Sequence, residues 1–180
     1  MNNLNNINKN TKLYVADTSF IMDYFDASDY YFIKKIDCSI IIPLTVLRQL
    51  DGLKDSTDYR RSFCARKASQ LIEELQNNYK DKIKIVENYI KGEYLTNKAD
   101  NKIIGTALWY KQKGYDVSIF STDTNVNIFC RNSNINIVKK IDDFYKDIRF
   151  EENEDEVGNK NKINNIDQKK TLYSNSFDDK

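Results

Sequence analysis

Residues 13–19 have the sequence LYVADTS, an apolar run of four residues that ends in an acid and two hydroxyl residues. A short, continuous apolar run is typical of a strand that is buried on both faces. Similar runs lie at residues 40–42, 83–86, 117–120 and 135–138. Segments with helical spacing separate them. This alternation predicts an α/β fold with a largely parallel sheet that is covered by helices on both faces.

Two segments show the clearest helical spacing. In residues 61–79, apolar side chains repeat at spacings of three and four, which predicts one buried helical face. That face consists of Ala65, Ala68, Leu71, Ile72, Leu75 and Tyr79. A second helix is predicted from about residue 99 to residue 113, and Gly114 is a suitable stop. Further helices are predicted to follow Ser19, Leu44 and Asp123.

The two ends of the chain differ in composition from the segment between them. Residues 1–11 are rich in Asn and Lys, and residues 151–180 are polar and carry an acidic run. We therefore predict disordered extensions at both ends and one domain at residues 12–150. No stretch approaches the roughly 20 apolar residues of a membrane span. The first ten residues also lack an apolar signal-peptide core, so a cytoplasmic protein without a membrane partner is expected.

The amino-acid composition excludes several kinds of catalytic and metal site. The chain contains no histidine, which excludes Ser-His-Asp triads and the usual zinc sites. The three cysteines are too few and too scattered for a disulfide framework. Residues 1–150 hold 23 of the 28 basic and 19 of the 27 acidic side chains, so the predicted domain is mildly basic. That charge permits a nucleic-acid partner without requiring one.

Three acids stand where strands end or helices begin. Asp17 and Asp123 each follow a predicted strand, and Asp100 opens a predicted helix. Each of them can be explained as a helix cap, since Asp is favoured near helix N-termini. Acids at the carboxyl ends of parallel strands can also converge at one edge of the sheet. Clustered carboxylates repel one another unless a cation is present, so the alternative is a site for Mg²⁺ or Mn²⁺.

The order of these motifs resembles that of PIN-domain nucleases. Residues 13–19 are similar to the first strand and first acid of that family, and residues 42–54 to its second strand and the helix that follows. Residues 100–107 and 121–125 resemble the third and fourth motifs. The similarity is greatest to PIN domains fused to PhoH-type ATPases and to the related Swt-type branch. It implies a three-layer α/β/α sandwich in which Asp17, Asp100 and Asp123 bind the metal and carry catalysis.

One position departs from the family pattern. PIN domains usually have Glu before the Leu of the second motif, where this chain has Gln49. A neutral amide lacks the charge and basicity of a carboxylate, so metal affinity and water activation should weaken. Asp51 lies two positions further along the helix and therefore points away from residue 49. The sequence thus leaves two alternatives, an active nuclease and a catalytically reduced PIN-like module.

Other α/β families with an acid after the first strand fit less well. A haloacid-dehalogenase phosphatase needs a second Asp at position 19, which is Ser19, and the integrin-type metal motif needs a Ser where Ile21 stands. Toprim domains need a second acid at the position of Asn125. The chain has no Gly-rich phosphate loop. It also lacks the additional acids and helical arch of flap-type DNA nucleases.

Further polar residues are weaker candidates. Hydroxyl and amide side chains near the acids can orient a carboxylate or its bound water, or can cap helices. These residues are Thr18, Ser19, Gln49, Thr122 and Asn125. Basic side chains on the second and third helices can bind phosphates, or can form a solvated helix face. These are Arg48, Lys54, Arg60, Arg61, Arg66 and Lys67.

The resemblance implies a metal-dependent endoribonuclease that acts on single-stranded RNA. The alternatives are a catalytically silent module that binds RNA or a protein, and a toxin-type nuclease that is controlled by an antitoxin. PIN domains often self-associate, so a homodimer also stays open.

Overall fold

The computed structural model describes residues 11–24, 38–95, 97–140 and 142–144. Strands and helices alternate along these ranges. The strands are β1 (Lys12–Ala16), β2 (Cys38–Pro43), β3 (Ile83–Val86), β4 (Val117–Phe120) and β5 (Asn136–Val138). The helices are α1 (Thr18–Tyr24), α2 (Leu44–Lys54), α3 (Tyr59–Asn78), α4 (Lys98–Gln112) and α5 (Thr124–Asn132). The extensions predicted at residues 1–11 and 151–180 fall outside the described residues, apart from Thr11, so the domain limits stay a prediction.

The strands form a single five-stranded sheet with the order β3-β2-β1-β4-β5. All four neighbouring pairs run parallel, as the alternation of strands and helices predicted. The chain adds β2 and β3 on one side of β1 and then returns to add β4 and β5 on the other side. The reversal falls between β1 and β4. In open parallel sheets, the crevice at such a reversal is the usual ligand site.

The predicted helical face of α3 is confirmed. Ala65, Ala68, Leu71, Ile72 and Leu75 are all buried, while Tyr79 is only partly buried. The helix begins at Tyr59, two residues earlier than the apolar spacing indicated, because Asp58 caps it. The Asp58 carboxylate accepts a hydrogen bond from the backbone N–H of Arg61 at 3.2 Å. A cap of this kind adds a first turn that need not contribute to the core.

Gly114 ends α4 as predicted. Its φ of +86° lies in the left-handed region that favours glycine, and its N–H donates to the carbonyl of Lys111 at 2.9 Å. The last strand begins one residue later than the apolar run, at Asn136. Ile135 instead donates its backbone N–H to the carbonyl of Cys130, at the end of α5.

Aromatic side chains fix α1 against the sheet close to the end of β1. The Phe20 ring of α1 stacks on Phe120 of β4 at 4.4 Å, and Phe120 stacks on Tyr14 of β1 at 4.8 Å. All three residues are fully buried. Since Asp17 joins β1 to α1, this packing restricts its position. Among the helices in the described ranges, none has the length and apolar character needed to cross a membrane.

Candidate active site

Asp17 lies at the carboxyl end of the central strand. Its backbone N–H donates to the carbonyl of Phe120 at 3.0 Å and so continues the β1–β4 ladder by one residue. Only 5% of Asp17 is exposed. Its Oδ2 accepts two hydrogen bonds, one from the Ser19 hydroxyl at 3.0 Å and one from the Ser121 hydroxyl at 2.6 Å. Oδ1 accepts none from any described residue, so it is the oxygen that is left for another ligand.

Ser121 joins two of the acids. Its hydroxyl donates to Asp17 and also accepts from the backbone N–H of Asp123 at 3.1 Å. The residue is fully buried. Thr122, the candidate predicted from the sequence at this place, is partly buried, and its side chain makes no hydrogen bond with the described residues. The contact of Ser121 with Asp17 follows from the register of β1 and β4, in which Ala16 is paired with Phe120, so the local sequence carried no signal for Ser121.

Asp123 caps α5. Its Oδ1 accepts from the backbone N–H groups of Asn125 at 2.7 Å and Val126 at 3.0 Å. The capping explanation considered for this acid therefore holds. It does not exclude a second role, because Oδ2 accepts no bond from a described residue. The side chain of Asn125 is exposed, and only its backbone contacts Asp123.

Asp100 lies in the first turn of α4, although it is not the cap. Asn97 caps this helix by accepting from the N–H of Ala99 at 2.8 Å. The pKa of Asp100 is raised from 3.8 to about 6, first by burial and then by the charges of Asp17 and Asp123. A shift with these causes requires that the three carboxylates lie near one another. The structure thus brings three acids from different segments of the chain within electrostatic reach of one another, the first and last of them more than a hundred positions apart.

The three acids offer carboxylate oxygens, which are the ligands that Mg²⁺ and Mn²⁺ prefer. In the described ranges, no three Asp, Glu, Cys or His side chains already form a group that could hold a metal ion. The donor chemistry nevertheless fits a divalent cation. The repulsion that raises the pKa of Asp100 is also of the kind that a bound cation relieves.

Gln49 reaches the same edge of the sheet. Thr18, the residue after Asp17, donates its hydroxyl to Gln49 Oε1 at 2.6 Å. This bond places the second motif beside the first. Asp51 faces elsewhere, as its position on the helix predicted, and is paired with Lys54 at 3.3 Å.

A further acid, Asp23 of α1, was absent from the sequence-based candidates. Desolvation raises its pKa, the charge of Arg60 lowers it, and the charge of Asp17 raises it again. Asp23 therefore lies within electrostatic reach of both Asp17 and the first turn of α3. Asp23 is an exposed acid in a helix. A single exposed acid forms no sequence pattern that would mark it as a candidate site residue.

The six basic candidates separate into two groups. Arg66 is committed to the fold, because its guanidinium donates to the carbonyl of Lys54 at 2.7 Å and to the Ser62 hydroxyl at 3.0 Å. Lys54 pairs with Asp51, and Arg48 makes only a long, exposed contact of 3.9 Å with Glu87. The second group consists of Arg60, Arg61 and Lys67, whose exposed side chains form no hydrogen bond or ion pair with a described residue.

Comparison with known proteins agrees with this fold and site. The PIN domain family matches residues 14–140, a span that includes all three acids. The chain therefore belongs to the PIN domain family. Domains of this family are commonly nucleases and typically use divalent metal ions.

No curated protein matches this chain significantly. Among solved structures, a domain of a functionally unknown protein from Methanocaldococcus jannaschii is similar, with a TM-score of 0.52 and 16% identity. The match covers 72% of this chain and 91% of that one. At this identity, the likeness shows the fold alone.

Proposed function

We propose that this chain is a metal-dependent endoribonuclease that hydrolyses phosphodiester bonds of single-stranded RNA and leaves a 5′-phosphate and a 3′-hydroxyl. The observation that carries the proposal is the contact of Ser121 with both Asp17 and Asp123 at the carboxyl edge of the sheet, with Asp100 within electrostatic reach of both acids. Membership of the PIN domain family supports it. The absence of histidine also leaves carboxylates and a metal as the natural means of hydrolysis.

Asp17, Asp100 and Asp123 would hold Mg²⁺ or Mn²⁺ in this enzyme. A divalent ion at this place supplies activation of water near neutral pH and offsets charge on the phosphodiester. Ser19 and Ser121 orient Asp17 through hydrogen bonds to Oδ2. Asp123 is held by its cap bonds through Oδ1. Both acids thus keep one oxygen directed by the protein and the other available for a ligand.

The RNA would follow the exposed basic side chains near this edge. Arg60 is the best placed of them, since its charge acts on Asp23, which in turn lies near Asp17. We further propose that the chain is closest to the PIN domains fused to PhoH-type ATPases and to the Swt-type branch, as its second motif suggests. Self-association and control by an antitoxin or another protein stay predictions.

Cleavage of labelled single-stranded RNA tests the proposal. The assay compares wild type with Asp17→Asn and Asp100→Asn in Mn²⁺, in Mg²⁺ and in EDTA. Cleavage should require a metal, and each substitution should lower the rate by at least about 100-fold, because even outer-shell changes at metal sites cost 10- to 100-fold. Asp116→Asn is the matched control, since Asp116 lies at the amino end of β4, at the opposite edge of the sheet. Cleavage that persists in EDTA and in Asp17→Asn would contradict the proposal.

Gln49 favours a second candidate, a catalytically reduced module that binds RNA. The hydrogen bond with Thr18 shows that the amide stands beside the first acid, where a carboxylate would add a negative charge. Absence of cleavage by wild type in either metal, with RNA binding retained, would support this module. Gln49→Glu should then restore metal-dependent cleavage. Gln112→Glu is the control and should not restore it, because Gln112 lies about 18 Å from Asp100 along α4.

A further inference from the structure

The first two turns of α3 present aromatic rings to solvent. Three large hydrophobic side chains in the described ranges are exposed, and two of them, Tyr59 at 78% and Phe63 at 49%, lie four residues apart on this helix. Residues at this spacing share one face of a helix. Their rings lie 6.3 Å apart with an angle of 23° between the planes. The opposite face of the helix is buried, so these two rings take no part in the core.

Positive charge surrounds the two rings. The Lys67 ammonium lies 5.9 Å from the centre of the Phe63 ring. Residues 59–72 contain four basic side chains and no acid, and the acids of α3 begin only at Glu73. The Arg66 guanidinium is hydrogen-bonded to the Lys54 carbonyl, whereas the exposed side chains of Arg60, Arg61 and Lys67 form no hydrogen bond or ion pair with a described residue. Asp58, which precedes the rings, uses its carboxylate as the helix cap.

Helix α1 connects this aromatic and basic surface of α3 with Asp17. Helix α1, which starts directly after Asp17, packs against α3. Arg60 and Asp17 both act on the pKa of Asp23, so both lie within electrostatic reach of this residue of α1. A chain bound on the first turns of α3 would therefore be directed along α1 toward Asp17.

We propose that Tyr59 and Phe63 form a stacking platform for unpaired bases of single-stranded RNA, with Arg60, Arg61 and Lys67 contacting the phosphates on either side. The combination of flat rings and cations favours this ligand, since nonspecific single-strand binding sites pair aromatic stacking with a positive groove. The platform reads no base edges, so it should bind different base sequences with similar affinity. This inference rests on the proposed function only in its choice of RNA as the ligand.

Binding in EDTA tests the platform independently of catalysis. The full chain is titrated into a fluorescently labelled single-stranded oligoribonucleotide, and anisotropy gives Kd. Tyr59→Ala/Phe63→Ala should weaken binding at least about fivefold, the lower end of the cost of losing one base–aromatic stack. Tyr59→Leu/Phe63→Leu should weaken it similarly, because leucine keeps an apolar surface but has no flat ring. Ile128→Ala is the matched control, since Ile128 is 53% exposed on another helix.

Several results would overturn the platform. Unchanged RNA affinity in both double variants would do so, as would absence of RNA binding by wild type. Light scattering is run on each protein. If the alanine variant turned a dimer into a monomer and kept its RNA affinity, the rings would belong to an interface between copies instead. Single Tyr59→Ala, at the more exposed ring, repeats the test if the double variant unfolds.

The outcomes separate this inference from the proposed function. RNA binding that depends on the rings but is not followed by metal-dependent cleavage would support the platform and contradict the nuclease. Cleavage that depends on Asp17 but has the same KM in the ring variants would support the nuclease and contradict the platform.

Discussion

Two buried serines of β4 and the loop after it differ in what their hydroxyls contact. Ser121 bonds Asp17 and Asp123, whereas the Ser118 hydroxyl has no hydrogen-bond partner among the described residues. Both side chains are fully buried. Substituting each serine by alanine therefore distinguishes the effect of losing a contact with the site from the effect of losing a buried hydroxyl.

We expect Ser121→Ala to reduce metal-dependent cleavage by about 10- to 100-fold, as loss of an outer-shell contact to a metal ligand typically does. Ser118→Ala should leave cleavage unchanged and should not lower stability, because an unpaired buried hydroxyl contributes nothing favourable. Cleavage rates at several Mn²⁺ concentrations, together with urea unfolding, check both expectations. Equal losses of activity in the two variants would argue against a positioning role for Ser121.

The raised pKa of Asp100 makes stability depend on pH. Between pH 3.8 and about 6, folded Asp100 keeps its proton while the unfolded chain loses it. The folded state therefore binds more protons, and the free energy of unfolding falls as pH rises through this window. The carboxyl is partly exposed, so solvent screening limits the full penalty above pH 6 to about 1 kcal/mol.

Asp100→Asn removes that penalty. In EDTA, the variant should exceed wild type in stability by about 1 kcal/mol at pH 8 and match it near pH 4. Urea unfolding across this range measures the difference, with Asp116→Asn as the control. A stability difference that does not change with pH would show that the carboxyl is not perturbed in this way. The affinity of wild type for Mn²⁺ should rise as pH passes through 6, because the ionised carboxylate is the form that binds a metal.

Helix α4 is held in place by the loop before it, and this contact determines where Asp100 lies. Gly105 and Ile90 approach so closely that a Cβ at residue 105 would lie 2.3 Å from the Ile90 carbonyl oxygen. The Ile90 N–H also donates to the Gly105 carbonyl at 3.0 Å. Asn101, next to Asp100, bonds both the N–H and the carbonyl of Leu95, at 2.6 and 2.7 Å. Residues of the third motif therefore contribute to packing.

Gly105→Ala should destabilise the protein by about 1–3 kcal/mol, because the added methyl group meets backbone that cannot move away cheaply. Gly52→Ala is the matched change on α2, where nothing lies within 4 Å of the new Cβ. It should stabilise by about 0.5–1 kcal/mol, through better helix propensity. Thermal and urea unfolding distinguish the two. A neutral Gly105→Ala variant would mean that the loop and helix can separate at little cost.

For the molecule as a whole, the arrangement of the strands explains why Asp17 and Asp123 lie at the same edge of the sheet. The sheet reverses its direction of growth between β1 and β4, and Asp17 and Asp123 follow these two neighbouring strands. Helix α4 adds Asp100 from a third segment. A site made of three distant segments should couple metal binding to folding, since the unfolded chain does not hold its ligands together.

Mn²⁺ should therefore raise the Tm of wild type. At a free concentration 100 times Kd, the stabilisation is about 2.7 kcal/mol, or a shift of at least about 5 °C for a domain of this size. Asp17→Asn should lose most of the shift, and Asp116→Asn should keep it. Differential scanning fluorimetry without RNA makes the measurement independent of activity. A full shift in Asp17→Asn would place the ion elsewhere.

Local pattern was enough to predict the sheet, the five helices and two of the acids at strand ends. Buried strands and amphipathic helices follow from apolar spacing, which depends only on near neighbours in the chain. Asp17 and Asp123 could also be predicted locally, because Asp17 directly follows one apolar strand and Asp123 follows another after two hydroxyl residues. The order of the motifs was enough to indicate the PIN family.

The contacts within the site depend instead on the register between strands. Pairing of Ala16 with Phe120 brings Asp17 level with Ser121, which is 104 positions away and donates to its carboxylate. Arg60 comes within electrostatic reach of Asp23 through the packing of α1 against α3. Register and helix packing are settled by the fit of the whole core, and electrostatic coupling falls with distance in space. Neither can be read from near neighbours in the chain.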